Sequence, residues 1–201
     1  MLIITQLSKM LHNKIYEILK FFLGNYNREI YGRELINKVD ISQKNIALTL
    51  KELEKKNILK SNKKGNLKFY SLNIKNPQLK IYLITSELFK KEKFLTNNKK
   101  IAHIFKDDDR IVGIFGSYAK SRQRKDSDVD IFIIGNKGED YIKQGKLYDL
   151  DISIKTFTEE EFKKLLKEKN NLIREIIENH ILVFNVEKFI NFIWRDFYGF
   201  N

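Results

Sequence analysis

Residues 111–135 read IVGIFGSYAKSRQRKDSDVDIFIIG, and this stretch decides the fold prediction. The apolar run 111–115 is typical of a buried strand, and Gly116-Ser117 follows it directly. A polar stretch then leads to Asp128-Val129-Asp130 and to a second apolar run, 131–134. The pattern predicts two neighbouring strands of one sheet, joined by a polar connection.

Asp128 and Asp130 stand two residues apart at the start of the second strand. Side chains two apart in a strand point to the same face, so the two carboxylates are predicted to lie side by side. Like charges at that distance repel one another, and burial increases the repulsion. A divalent cation resolves the conflict, because Mg²⁺ prefers hard oxygen ligands and also binds phosphate.

A third carboxylate is predicted on a neighbouring strand over residues 147–155. Asp149 and Asp151 share the parity of that strand, and Asp151 is preferred because apolar residues flank it on both sides. Three carboxylates around two Mg²⁺ ions is a familiar arrangement for phosphoryl and nucleotidyl transfer. The predicted metal ligands and catalytic residues are Asp128, Asp130 and Asp151, with Asp149 as the alternative third acid.

Gly116 and Ser117 form a predicted phosphate-binding turn. A glycine at the end of a strand allows close backbone approach, and N–H groups at the start of a helix suit a phosphate. The Ser117 hydroxyl is a further donor. Lys120 and Arg122 follow closely and could offset the charge of a triphosphate. The predicted nucleotide-binding residues are therefore Gly116, Ser117, Lys120 and Arg122.

The run GSYAKSRQRKDSDVDIFIIG resembles the signature of the DNA polymerase β-like nucleotidyltransferase superfamily, especially its minimal nucleotidyltransferases. Gly116, Ser117, Asp128 and Asp130 match that signature position by position. The chain departs from it at residues 119–121, where it reads Ala-Lys-Ser and members often read Ala-Arg-Gly. The spacing from Gly-Ser to the acid pair is retained.

This resemblance extends over about residues 100–185 and implies a mixed sheet with flanking helices. It also implies that two Mg²⁺ ions orient an NTP, expected to be ATP, for transfer of its nucleoside monophosphate. One ion would activate an acceptor hydroxyl, and the other would steady the leaving pyrophosphate. Minimal members are often antitoxins that place AMP on a partner toxin, so a protein acceptor is expected, with RNA or a small molecule as alternatives.

The first 75 residues are strongly basic. They hold 15 Lys and Arg against 6 Asp and Glu, so they carry most of the net charge of +12. Helices are predicted over 7–23, 32–39 and from Asp40 or Ser42 to Lys56, followed by a hairpin with a Lys-rich tip at 62–66. This pattern, over about residues 5–73, resembles the winged helix-turn-helix of transcription regulators and implies duplex DNA as a partner.

The predicted DNA-binding residues lie on the third helix and on the hairpin. The helix carries polar side chains off its apolar stripe, near the end that meets base edges. Lysines at a hairpin tip suit phosphate contact. The set is Ser42, Gln43, Lys44, Asn45 and Thr49 on the helix and Lys63 and Lys64 on the wing. A homodimer would suit palindromic DNA, and a winged helix used only for protein contact is the alternative.

The fold class predicted for the whole chain is α+β, in three segments. They are a winged helix over 1–75, a helical connector over 76–108 and a nucleotidyltransferase-like domain over 109–201. The absence of cysteine excludes disulfides and thiolate sites. No apolar run approaches the ~20 residues of a membrane span, and the N-terminus lacks the layout of a signal peptide. A soluble, cytoplasmic protein with no membrane partner is expected.

Two functions compete at this point. The first is a Mg²⁺-dependent nucleotidyltransferase tethered to a DNA-binding winged helix. The second is a DNA-binding transcription regulator whose second domain senses nucleotide or dimerises without catalysis. An intact set of three acids favours the enzyme, whereas the basic first domain fits both.

Overall fold

The computed structural model describes residues 14–124, 126–136, 140–168 and 170–200. The chain divides into two compact units, Met1–Ser86 and Glu87–Asn201. Helices and strands occur in both, and the sheet of the second unit is mixed. These features confirm the predicted α+β class. None of the described helices is long and apolar enough to cross a membrane.

The first unit contains helices and a three-stranded antiparallel sheet of order β1-β3-β2. Its apolar core includes Ile18, Phe22, Ile46, Leu50 and Leu53. The elements are α1 (residues 14–19), a 3₁₀ helix Lys20–Phe22, β1 (Ile30–Tyr31), a 3₁₀ helix Gly32–Leu35, α2 (Gln43–Lys55), β2 (Leu59–Lys64) and β3 (Leu67–Leu72). The beginning of the predicted first helix, residues 7–13, lies outside the described residues.

Two local expectations in this unit need correction. The predicted second helix, 32–39, is only the 3₁₀ helix Gly32–Leu35. The predicted five-residue hairpin loop is shorter, because Asn62, Lys63 and Lys64 belong to β2 and pair with β3. Gly65, at φ +60°, allows the tight turn that makes this extra pairing possible.

The second unit is a four-stranded sheet with helices around it, ordered β6-β5-β4-β7. Its elements are the end of α3 (Leu79–Asn97), α4 (Lys99–Ile104), β4 (Ile111–Phe115), α5 (Gly116–Ala119), β5 (Val129–Ile134), α6 (Asp140–Lys146), β6 (Ile152–Phe157), α7 (Glu159–Lys167), α8 (Asn171–Glu178), β7 (Ile181–Phe184) and α9 (Val186–Phe192), followed by a π-helical turn Ile193–Phe197. Helix α7 begins with a capping box between Thr158 and Glu161.

The pairing of the strands places the functional residues. β4 pairs antiparallel with β5 and β7, whereas β5 pairs parallel with β6. Because β5 and β6 are parallel, their first residues meet at one edge of the sheet. The last residue of β4, Phe115, pairs with Asp130 at the same edge. The central strands are apolar and buried, so this edge is held in place by a rigid core.

A polar pair, Glu87 and His180, is buried in the second unit. Nε2 of His180 lies 3.0 Å from Oε1 of Glu87, and both residues are 1 % exposed. Nδ1 of His180 lies 2.8 Å and 2.9 Å from the carbonyl oxygens of Ile176 and Ile177. Burial opposes ionisation of Glu87, but the charges of Lys90 and His180 outweigh it and lower the pKa of Glu87. The contact ties α3 to the turn after α8.

Another polar cluster precedes β4. The carboxylate of Asp108 accepts hydrogen bonds from the Arg110 backbone N–H (2.8 Å), from the Arg110 guanidinium (2.9 Å and 2.6 Å) and from the Tyr141 hydroxyl (2.5 Å). Asn185 donates to the Arg110 carbonyl at 2.8 Å. These hydrogen bonds connect the residues before β4 to α6, through Tyr141, and to the end of β7, through Asn185. The Asp108 side chain is only 7 % exposed.

Candidate active site

The turn after β4 packs its backbone directly against an acid. Gly116 has φ +70°, and a Cβ placed there would lie 2.2 Å from Oδ2 of Asp130. Any larger residue would therefore collide with that carboxylate and would also strain the backbone. The group that approaches Gly116 closely is thus the Asp130 carboxylate, whereas the sequence pattern predicts a phosphate there.

Asp130 is the second residue of β5 and is half-buried. It pairs with Phe115 on one side and with Ser153 on the other. Burial is the main cause that raises its pKa, and the negative charges of Asp128 and Glu175 raise it further. Lys155 and a hydrogen bond with Ser153 act in the opposite direction and are outweighed. The carboxyl group is therefore destabilised in its charged form.

Asp128 lies immediately before β5 and is exposed. Its charge acts on Asp130 and, after burial, raises the pKa of that carboxyl group. Because β5 begins at Val129, the strand parity that predicted the two acids side by side does not cover Asp128. The connection before them is fixed locally: Ser127 Oγ accepts from the backbone N–H of Arg124 at 2.8 Å, and the Ser127 N–H donates back to the Arg124 carbonyl at 3.1 Å. This reciprocal turn sets where the acid pair begins.

The third acid is not on a strand, which corrects one expectation. β6 begins at Ile152, so Asp149 and Asp151 both lie before it. The strand parity that made them equivalent does not apply, and Asp149 has the left-handed φ of +53°. The Asp151 carbonyl accepts from the Val129 N–H at 2.8 Å. Val129 pairs with Ile152 where β5 and β6 begin. Asp128 and Asp151 are the residues immediately before them, so their backbones are adjacent.

The acids were expected to gather around metal ions. Among the residues that the structure describes, no group of three or more His, Cys, Asp or Glu side chains is close enough together to hold one. Asp128 and Asp130 nevertheless fit a divalent cation chemically, since they are neighbouring oxygen donors of like charge. Such a cation would relieve the repulsion that raises the pKa of Asp130.

Lys120 and Arg122 follow the one-turn helix α5, which begins at Gly116. Lys120 is the C-cap of α5, its N–H donating to the Gly116 carbonyl at 3.2 Å, and the Arg122 N–H donates to the Ser117 carbonyl at 2.9 Å. Both side chains belong to exposed residues. Nζ of Lys120 forms a salt bridge of 2.6 Å with Glu175. The predicted nucleotide-binding residues thus lie on α5 and just after it, and Gly116 contacts Asp130.

Sequence reasoning missed three residues of this neighbourhood: Ser153, Lys155 and Glu175. Ser153 and Lys155 stand two and four positions after Asp151, so strand periodicity could have placed them on the face of the acids. Glu175 lies on α8, on a helix that looked purely structural because of its apolar stripe. No local signal in the sequence links it to Asp130.

Residues 99–188 match the family model described as Polymerase beta, Nucleotidyltransferase. The matched segment runs from α4 through β7 and includes Gly116, Asp128, Asp130 and Asp151. It supports the superfamily that the signature predicts and indicates nucleotidyl transfer in general. No curated protein and no solved structure is significantly similar to the chain.

The predicted DNA-binding residues lie outside this nucleotidyltransferase segment. Ser42 caps α2, its Oγ accepting from the Asn45 N–H at 3.4 Å, and Gln43 and Lys44 are exposed beside it. Thr49 is 4 % exposed, so its assignment to a DNA-contacting surface is wrong, because it packs into the core with Leu50.

The two predicted wing lysines lie on strand β2, and both are exposed. Lys64 forms an ion pair with Glu29, and its ammonium lies 5.2 Å from the centre of the Phe69 ring. Lys63 is opposite Lys68 in the register of the hairpin. The end of the hairpin therefore presents positive charge, partly offset by Glu29, which pairs with Lys64, and by Glu54, which pairs with Lys68.

Proposed function

We propose that this protein is a Mg²⁺-dependent nucleotidyltransferase that moves a nucleoside monophosphate from an NTP, ATP first, to an acceptor hydroxyl. One observation carries the proposal: the acid Asp130 lies against the bare backbone of Gly116, beside Asp128, inside the segment that matches the nucleotidyltransferase family model. A phosphate-binding turn and a cation-binding pair in direct contact are what this reaction needs.

The Gly116-Ser117 turn binds the phosphates of the nucleotide. Because Gly116 has no side chain, the Asp130 carboxylate lies directly against this turn, and the Ser117 hydroxyl and N–H donate to the phosphates beside it. Lys120 and Arg122 supply positive charge from the residues that follow the turn. Together these groups hold the β- and γ-phosphates while the α-phosphorus stays open to attack.

Asp128 and Asp130 would hold Mg²⁺, with Asp151 as the third carboxylate of the set. The bound ions would neutralise charge on the phosphates and increase the acidity of the acceptor hydroxyl. Asp130, whose charged form is unfavourable without a cation, gains most from this pairing. The two acids thereby fix the nucleotide relative to the acceptor.

The chemical step is an in-line displacement at the α-phosphorus. The acceptor oxygen forms a bond to phosphorus as the bond to the bridging oxygen of the β-phosphate breaks. Pyrophosphate leaves with that electron pair, and the acceptor proton passes to the Asp151 carboxylate. The acceptor is a protein, such as a partner toxin, or an RNA.

A labelling experiment tests the transfer. The protein is incubated with Mg²⁺, total RNA or a protein extract, and ATP or CTP labelled on either the α- or the γ-phosphate. We expect the α-label alone to reach the acceptor, and Asp128→Ala with Asp130→Ala to abolish this. The matched control is Asp107→Ala with Asp109→Ala, which removes two exposed acids at the other end of β4.

Label transfer that survives the loss of Asp128 and Asp130 would contradict the assignment of the site. Nucleotide binding without transfer to any acceptor would favour the alternative, a regulator that senses nucleotide. Transfer of the γ-label would indicate a kinase-type reaction instead.

The identity of the third acid has its own test. Asp151→Asn should lower the transfer rate, because the acceptor proton loses its base, by roughly 10²-fold. Asp149→Asn should leave the rate unchanged, since asparagine tolerates the left-handed conformation at that position. A loss with Asp149→Asn alone would reassign the role to that residue.

A second function, DNA binding, is proposed for the first unit. The supporting observation is the order β1-β3-β2 with α2 preceding the hairpin, an arrangement typical of a winged helix. The exposed Gln43 and Lys44 at the start of α2 are available for base edges, and the hairpin lysines for phosphates. A homodimer would match a palindromic site.

Binding to duplex DNA at low salt tests this second proposal. Lys63→Glu with Lys64→Glu should weaken binding to all sequences, because phosphate contacts carry affinity without sequence information. Gln43→Ala should instead reduce discrimination between sequences. Lys75→Glu, an exposed lysine after the hairpin, is the control, and equal losses in control and wing variants would contradict the wing assignment.

A further inference from the structure

A salt bridge joins the predicted phosphate-binding loop to a helix that the signature does not include. Nζ of Lys120 lies 2.6 Å from Oε1 of Glu175 on α8. The two side chains are 32 % and 37 % exposed. The Lys120 ammonium group is thus paired with a carboxylate of the chain itself.

The pair stands at the nucleotide site rather than at a remote surface. Backbone hydrogen bonds from Lys120 to Gly116 and from Arg122 to Ser117 fix the position of both residues relative to the turn. Gly116 in turn contacts Asp130. Glu175 therefore contacts Lys120 directly, and its charge also acts on Asp130.

An ion pair with both partners partly in water is weak, because solvent and salt screen it. A triphosphate offers Lys120 several negative oxygens at once, and hydrogen bonds between charged groups and phosphate are strong. The phosphate therefore competes well for the same ammonium group.

We infer that Glu175 and the nucleotide exchange on Lys120: phosphate oxygens of the bound NTP displace the Glu175 carboxylate from the ammonium. Glu175 is then a positioning residue that acts through Lys120. It holds the lysine at the turn before nucleotide arrives and competes with the nucleotide for it. The inference rests on the proposed function, since it requires phosphates at this turn.

The affinity of the full-length protein for ATP, measured by calorimetry without divalent cation, tests the exchange. Glu175→Gln removes the competitor, so the Kd for ATP should fall about two- to five-fold, the strength of an exposed ion pair. Glu175→Asp keeps the carboxylate and should stay near the wild-type Kd. Glu178→Gln, the same charge change one turn later on α8, is the matched control and should leave the Kd within error.

A double-mutant cycle separates the exchange from a general charge effect. In a Lys120→Gln background, which itself weakens ATP binding, Glu175→Gln should have no further effect because the contested ammonium is gone. Under turnover, Glu175→Gln should lower the KM for ATP and leave kcat unchanged, whereas a merely structural role would lower thermal stability and kcat together.

Three results would overturn the inference: a Kd that is unchanged or raised in Glu175→Gln, an equal fall in Glu178→Gln, or a fall that persists without Lys120. Wild-type protein that binds no ATP either with or without Mg²⁺ would refute the proposed function, and the inference with it. That result appears before any variant is made, so the two failures are distinguishable.

Discussion

Two aspartates at opposite ends of β4 have opposite surroundings. Asp108, before the strand, accepts four hydrogen bonds from Arg110 and Tyr141. Burial alone would raise the pKa of Asp108, but these donors outweigh it and lower the pKa. Asp130, across from the end of the strand, is buried among like charges, and its pKa is raised.

The difference separates an acid that stabilises the fold from one that we propose to be functional. The chain supplies Asp108 with every partner that its charge requires, so this residue stabilises the fold. Asp130 instead has two acidic neighbours, Asp128 and Glu175, whose charges destabilise its charged form. A bound cation can offset this loss of stability. Groups held in an unfavourable state in this way are candidates for chemistry.

Removal of the Asp130 charge should give the largest effect. Asp130→Asn should lower the nucleotidyl transfer rate by roughly 10²–10³-fold, because an electrostatic partner of the phosphates is lost. The melting temperature should stay level or rise, since a repelled charge disappears. Transfer assays and thermal melts on the same sample check this, and a lower melting temperature would place Asp130 with Asp108 as a structural acid.

Gly116→Ala tests the proposed role of Asp130, at the end of β4 where the candidate site lies. The new methyl group would strike Oδ2 of Asp130, and displacing a catalytic group by about 1 Å costs roughly 10²-fold in rate. Gly199→Ala is the matched control, because Gly199 has a similar φ of +66° and nothing within 4 Å of the added Cβ. Equal rate losses in both variants would mean that strain, not the contact with Asp130, is responsible.

Asp108→Asn tests whether Asp108, at the start of β4, stabilises the fold without taking part in the reaction. The amide cannot accept the same bonds from Arg110, so the free energy of unfolding should fall by about 1–3 kcal/mol. The transfer rate per folded molecule should be unchanged. Denaturant unfolding with parallel activity measurements checks both statements, and an activity loss at full stability would contradict the division of roles.

The smallest effect concerns pH. Because the folded-state pKa of Asp108 is below its usual value near 4, its stabilisation is complete above that value and is lost as the pH falls through the folded pKa. The stability difference between wild type and Asp108→Asn should therefore be constant between about pH 5 and 7 and shrink below about pH 4. A difference that grows on acidification would contradict the lowered pKa.

The sequence predicts best what depends on neighbouring residues. β4, β5 and the Gly116 turn all follow from local pattern, and the structure has each of them. The Asp128–Asp130 spacing likewise predicts two interacting carboxylates. These features need no knowledge of distant segments.

What could not be predicted depends on long-range packing. Glu175 reaches the site only because α8 packs near the loop that carries Lys120. Asp151 was expected on a strand because Leu150 and Ile152 resemble strand residues, but the left-handed turn at Asp149 delays the strand to Ile152. Thr49 looked like a surface residue, although its helix position turns it into the core.

The buried contact between His180 and Glu87 bears on how the second unit can be studied alone. The family match begins at residue 99, and a fragment cut there would omit Glu87. Nε2 of the His180 imidazole would then be buried without the Glu87 carboxylate oxygen that it contacts. We therefore expect such a fragment to misfold or to give a poor yield. An expression fragment should instead start upstream of Glu87 and include enough of α3 for the Glu87 carboxylate to contact His180.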